Sequence, residues 1–102
     1  MKRDEIISRL RAHEQELRAA GVTGLALFGS AARGEQGGDS DVDVVVKLSE
    51  EARRGGFAYF GRIDTLSRRL AEILQRPVDI VAEPIMKDRL RHAIEKERVV
   101  AF

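Results

Sequence analysis

An α/β domain is predicted by two features of the chain. Three short runs rich in apolar or β-branched residues, Gly24–Phe28, Asp41–Val46 and Pro77–Val81, have the length and composition of strands. Around them lie longer segments in which apolar residues recur every three to four positions, as on one face of a helix. Alternation of the two kinds of segment implies helices packed on a sheet of three main strands. At 102 residues the chain has the size of one domain, 1–102, enough to bury about two-thirds of its unfolded surface around a single core.

Taken in order, Asp4 is placed to cap a first helix with Ile6, Ile7, Leu10, Leu17 and Ala20 on one stripe and Gly21 at its end. His13 falls on that stripe as a packing residue and receives no catalytic role. The strand Gly24–Phe28 leads into a short helical turn, Ser30 to Gly34, and then a loop reversed at Gly37-Gly38, with Ser40 turning the chain before Asp41. Ser49 to Gly56 is polar and ends in two glycines, which reads as a loop. Phe57, Phe60, Ile63, Leu66, Leu70, Ile73 and Leu74 then mark an amphipathic helix of about five turns that stops before Pro77. On this spacing Phe57 and Phe60 share a face and Tyr59 points to solvent. The three aromatics either close the rim of the core or form a partner-binding patch. After the strand with Asp79, Pro84 is placed to start a last helix carrying Met86, Leu90, Ala93 and Ile94, with His92 on its solvent side. Val99–Phe102 is compatible with an edge strand or an apolar tail.

Composition narrows the classes of function. Hydrophobic residues make up 43% and charged residues 34%, as in ordinary globular domains, and the net charge is +1. Arginine dominates the 18 basic residues, yet they are scattered rather than clustered, so nucleic acid is not implied as a partner. The absence of cysteine excludes disulfides, zinc-thiolate sites and cysteine nucleophiles. No apolar run reaches the ~18 residues of a membrane span and MKRDE lacks a signal-peptide core, so the expected location is cytoplasmic.

The chemistry gathers between Gly24 and Lys47. Side chains alternate along a strand, which sets Asp41, Asp43 and Val45 on one face and Val42, Val44 and Val46 on the other. Carboxylates about 7 Å apart on one strand repel each other and add nothing to folding. Burying them costs several kcal/mol each unless they are paired or coordinated, so a divalent cation is the expected compensation. Oxygen-only donors suit Mg²⁺, which keeps waters and shares its coordination with substrate phosphates. Gly29 lets the backbone approach a phosphate, and Ser30 offers a hydroxyl and an N–H beside it. Arg33, one turn further, is either a triphosphate ligand or an ordinary surface arginine. Asp79, a charge among β-branched residues, supplies a third carboxylate. Two other motifs fail. Asp39-x-Asp41-x-Asp43 with Glu50 has the spacing of a calcium loop, but Val44 stands where that loop needs glycine. Gly34 is followed by Glu35 and not by Lys-Ser/Thr, which excludes a Walker-type phosphate loop.

Gly29-Ser30, ten residues, Asp41-x-Asp43 and a later strand with Asp79 resemble the polymerase-β-type nucleotidyltransferases over roughly Leu25 to Phe102. The length resembles their minimal nucleotidyltransferase (MNT) branch, whose members are often antitoxins encoded beside HEPN-domain toxins. The resemblance implies a small mixed sheet. It implies an enzyme that transfers AMP from ATP to a hydroxyl, with two Mg²⁺ ions held by Asp41, Asp43 and Asp79, and Gly29, Ser30 and Arg33 on the nucleotide. The acceptor is expected on a partner HEPN toxin bound in a hetero-oligomer. Two alternatives stand beside this: a small-molecule nucleotidyltransferase, disfavoured because no further domain forms an acceptor pocket, and a non-catalytic antitoxin that masks its toxin, disfavoured by three costly carboxylates.

Overall fold

The computed structural model describes residues 2–34 and 41–102, so the expected Gly37-Gly38 reversal and the Ser40 turn lie outside the described residues. The order of elements is α1 (Arg3–Ala12), α2 (Glu14–Ala19), β1 (Val22–Phe28), α3 (Gly29–Arg33), β2 (Val42–Leu48), α4 (Glu50–Arg53), α5 (Phe57–Leu74), β3 (Val78–Ala82), α6 (Asp88–Glu97) and β4 (Val99–Val100). The strands form one sheet in the order β3-β2-β1-β4. β1 runs antiparallel to both β2 and β4, and β3 runs parallel to β2, so the sheet is mixed as expected.

Alternation along the strands distributes the core to both faces. Leu25 and Leu27 of β1 and Val42, Val44 and Val46 of β2 join Ile6, Leu10, Leu17, Leu66, Leu70 and Leu74 in the main cluster under α1, α2 and α5. Ala26 and Val45 turn the other way and meet Ile85 and Ile94, with Phe28 and Val81 at the edge, so α6 covers the second face. Both faces of β2 are therefore occupied, which explains an uninterrupted valine run.

Several elements depart from the sequence expectations. The first helix breaks at His13, whose N–H reaches back only three residues to Leu10 O at 3.1 Å, and its N-cap is Lys2, with Asp4 inside the first turn. Ser49 to Gly56 is no plain loop: Ser49 Oγ accepts from Ala52 N at 3.2 Å and caps the single turn α4. Helix α5 matches its expected span, but its aromatics are reversed. Phe57 is 94% and Phe60 68% exposed, while Tyr59 is half-buried against the main cluster. Helical spacing gives the reason: Tyr59 stands in row with Ile63, Leu66 and Leu70, whereas Phe57 and Phe60 align with Asp64 and Arg68, an ion pair of the solvent face at 2.9 Å. The last helix starts at Asp88 and not at Pro84, because residues 83–87 first cross the sheet to bury Ile85. Of its expected apolar stripe only Ile94 is buried; Met86, Leu90 and Ala93 are exposed, and so is His92. The C-terminus is an edge strand, Val99 and Val100 pairing with Leu27 and Ala26.

Helices α2 and α5 are clamped by Arg69, whose Nη2 donates to Glu16 Oε1 at 2.8 Å and whose Nε donates to the other carboxylate oxygen. Hydrogen bonding from Arg69, with a smaller contribution from His13, holds the Glu16 carboxyl well below the usual carboxylate range, at about 2, against an opposing effect of burial. A depressed native pKa stabilises the fold above the unfolded value of about 4.3 and ceases to do so as pH falls through about 2. Glu16→Gln is accordingly expected to lower Tm slightly at neutral pH, with the gap closing across that acid window. Thermal melts at stepped pH and fixed salt check this; a gap unchanged at the acid end would place the clamp's effect elsewhere.

Candidate active site

The three aspartates come together at one end of the sheet. Asp43 and Asp79 are paired residues on the parallel strands β2 and β3, whose backbones lie about 4.8 Å apart. Both are two positions ahead of residues packed on the α6 side, Val45 and Val81, so their side chains share that face. The start of β3 is fixed by two bonds: Val42 N donates to Pro77 O at 2.9 Å and Ser67 Oγ of α5 donates to Val78 O at 3.2 Å. Asp41 stands just ahead of β2 and is exposed, as is Asp79, while Asp43 is half-buried.

On the other side of Asp43 is Phe28, its partner on β1, followed by the turn at Gly29. Gly29 has φ of +67°, and a methyl built on it would lie 2.8 Å from Asp43 Oδ2. Only glycine satisfies both the left-handed backbone and the close approach of the carboxylate. Ser30 follows half-buried in α3, which ends in a left-handed Gly34. Ala31 and Ala32 sink into the main core, and Arg3 Nη1 donates to Ala32 O at 3.1 Å, anchoring this short helix from below.

Charge is concentrated here without compensation among the described residues that would relieve it. Burial raises the pKa of Asp43, and the charges of Asp79 and Asp41 raise it further. A carboxylate in this position binds a cation at less cost than it stays alone. The donors are all oxygens, which fits Mg²⁺. No group of three or more His, Cys, Asp or Glu side chains among the described residues is arranged to hold a metal ion by itself. An Mg²⁺ ion here would take one or two carboxylates from the protein and the rest of its shell from phosphates and water.

Arg33 is at the right end of the molecule but points its Nη1 at Glu97 Oε2, 2.8 Å away on α6. Sequence spacing singled out the aspartates, Gly29, Ser30 and Arg33. It missed Glu97, because a partner distant along the chain has no local signal.

The geometry invites comparison with known proteins. The nucleotidyltransferase domain family model matches residues 7–101. A relative in Thermococcus cleftensis, protein adenylyltransferase MntA, is 35% identical over 96 residues, covering 91% of this chain and 85% of that protein. A solved structure described as a "putative minimal nucleotidyltransferase" is 30% identical and superposes with a TM-score of 0.77, covering 97% of this chain and 95% of that one. A complex of a tri-AMPylated Shewanella oneidensis HEPN toxin with an MNT antitoxin contains a chain that shares the fold at a TM-score of 0.63 and 17% identity, covering 98% of this chain and 71% of that one.

Proposed function

Since the chain belongs to the nucleotidyltransferase domain family, we propose that it transfers AMP from ATP to a hydroxyl of a partner HEPN-type toxin and acts as the antitoxin. The observation that carries the reading is the pairing of Asp43 with Asp79 across β2 and β3, beside the Gly29 turn. A relative named a protein adenylyltransferase and a neighbour that joins an AMPylated HEPN toxin to an MNT antitoxin support the acceptor class. No described helix is long and apolar enough to cross a membrane.

Each residue has a separable task. Gly29 leaves room for the triphosphate to approach the backbone, and Ser30 donates to its β and γ oxygens. Arg33, which donates to Glu97, would exchange that bond for those same oxygens. Asp41 and Asp43 would hold the divalent ions with the triphosphate, and Asp79 the one nearest the acceptor. Bound there, the ions neutralise charge on the phosphates and acidify the acceptor hydroxyl. Asp79, open to solvent on the edge strand, takes up the hydroxyl proton. The acceptor oxygen forms a bond to the α-phosphorus, the bridging P–O bond to the β-phosphate breaks in line, and pyrophosphate leaves.

The test mixes the purified chain, Mg²⁺, ATP and the HEPN-type protein of the same genome and weighs the products intact. One or more added AMP masses on the HEPN protein, absent in excess chelator, is the expected result. An unmodified HEPN protein that is nevertheless bound and silenced would favour masking without chemistry.

A further inference from the structure

Helix α6 turns two adjacent rows of side chains outward. Leu90, Ala93 and Glu97 form the first at spacings of three and four, and Arg89, His92 and Lys96 form the second. The first row lies on the flank that faces α3, because Glu97 bonds Arg33 there, while Arg98 on the opposite flank bonds Glu83 Oε1 at 3.1 Å. Leu90, 36% exposed, lies on this flank, and Met86, 85% exposed, stands two residues ahead of the helix. Leu90 stands about 10 Å along the helix from Glu97, so this flank leads toward Arg33 at the end of α3.

The second row is basic, exposed and unengaged: Arg89, His92 and Lys96 make no ion pair or hydrogen bond among the described residues. Of the three acids of the helix, Asp88 pairs with Arg91 at 2.8 Å and Glu97 with Arg33, while Glu95 is exposed beside His92 and makes no ion pair among the described residues. The surface of the helix is slightly hollowed around His92, Ala93, Glu95 and Lys96, so one carboxylate borders the basic groups. Exposed apolar side chains beside a row whose two unpaired cations, Arg89 and Lys96, outnumber its one bordering carboxylate, Glu95, are matched by a surface of the reverse kind, an apolar anchor framed by carboxylates.

We propose that this outer face of α6 docks the acceptor protein, through a partner surface that is acidic around an apolar anchor. The inference rests on the reading that the acceptor is a protein. Docking there sets the partner against the α3 side of the site, with adaptable Met86 against the anchor.

The test uses the full chain and the HEPN-type protein as probe, with calorimetry on wild type, on Arg89→Glu/Lys96→Glu and on Met86→Asp, all at exposed positions. Both variants are expected to keep the wild-type Tm and to bind the probe at least tenfold more weakly, and wild-type affinity is expected to fall with added salt. Affinities equal to wild type in both variants would overturn the α6 assignment while leaving the partner in place. No binding by wild type would remove the proposed partner, and the docking face with it. Salt-sensitive binding of labelled single-stranded RNA that Arg89→Glu/Lys96→Glu abolishes, with binding of the HEPN protein undiminished, would make the face a nucleic-acid surface instead.

Discussion

Asp43→Asn is expected to abolish adenylyl transfer, by on the order of 10²–10⁴-fold or more, while leaving the fold intact and raising its stability at neutral pH. The amide keeps the shape of the side chain beside Gly29 and removes one charge from the trio. The sign follows from the raised pKa of Asp43, which burial and the neighbouring Asp79 and Asp41 produce. A carboxyl raised in the native state favours folding while protonated, and that contribution is lost as pH rises through its native pKa. The stability gain of the amide should therefore be present at neutral pH, fade as pH falls through the native pKa and be gone below the ordinary carboxylate value of about 3.9. Single-turnover transfer and pH-stepped melts on one preparation check both halves. Transfer at the wild-type rate would put the catalytic assignment in error.

Asp79→Asn should separate binding from chemistry. Asp79 lies on the edge strand, exposed, whereas Asp41 and Asp43 are on or next to β2 against the Gly29 turn. The amide variant is expected to bind Mg-ATP close to wild-type affinity yet to lose transfer by on the order of 10²–10⁴-fold, because the acceptor's proton has no base to receive it. Equal loss of both would place Asp79 in nucleotide binding. Loss of neither would make it a structural residue and favour a masking antitoxin.

The sheet and the aspartate trio were legible in the sequence because they depend on period-two alternation within single runs. The valines of β2 and the charges at Asp41, Asp43 and Asp79 announce themselves against an apolar background. What escaped depends on neighbours distant in the chain. One exception is local: the helix of Phe57 to Leu74 was legible in extent, and a helical count from Leu66 and Leu70 would have chosen Tyr59 over Phe57 for the core. The delay of α6 to Asp88 follows from the need to bury Ile85 across Val45 and Ala26, a tertiary demand that outweighs proline's liking for a helix start. Glu97 as the partner of Arg33 has no sequence signature at all.

The mixed order of the sheet also governs when the chain becomes able to act. β1 and β2 are neighbours in sequence and pair antiparallel, while β3 joins β2 in parallel only after all of α5 has been laid across the sheet. Closing that longer excursion costs more chain entropy and belongs late in assembly. Under the proposed assignment, a nascent or locally opened molecule with β3 detached would carry Asp41 and Asp43 but lack the base. It would grip a nucleotide without discharging it, and adenylylation would be confined to the finished fold.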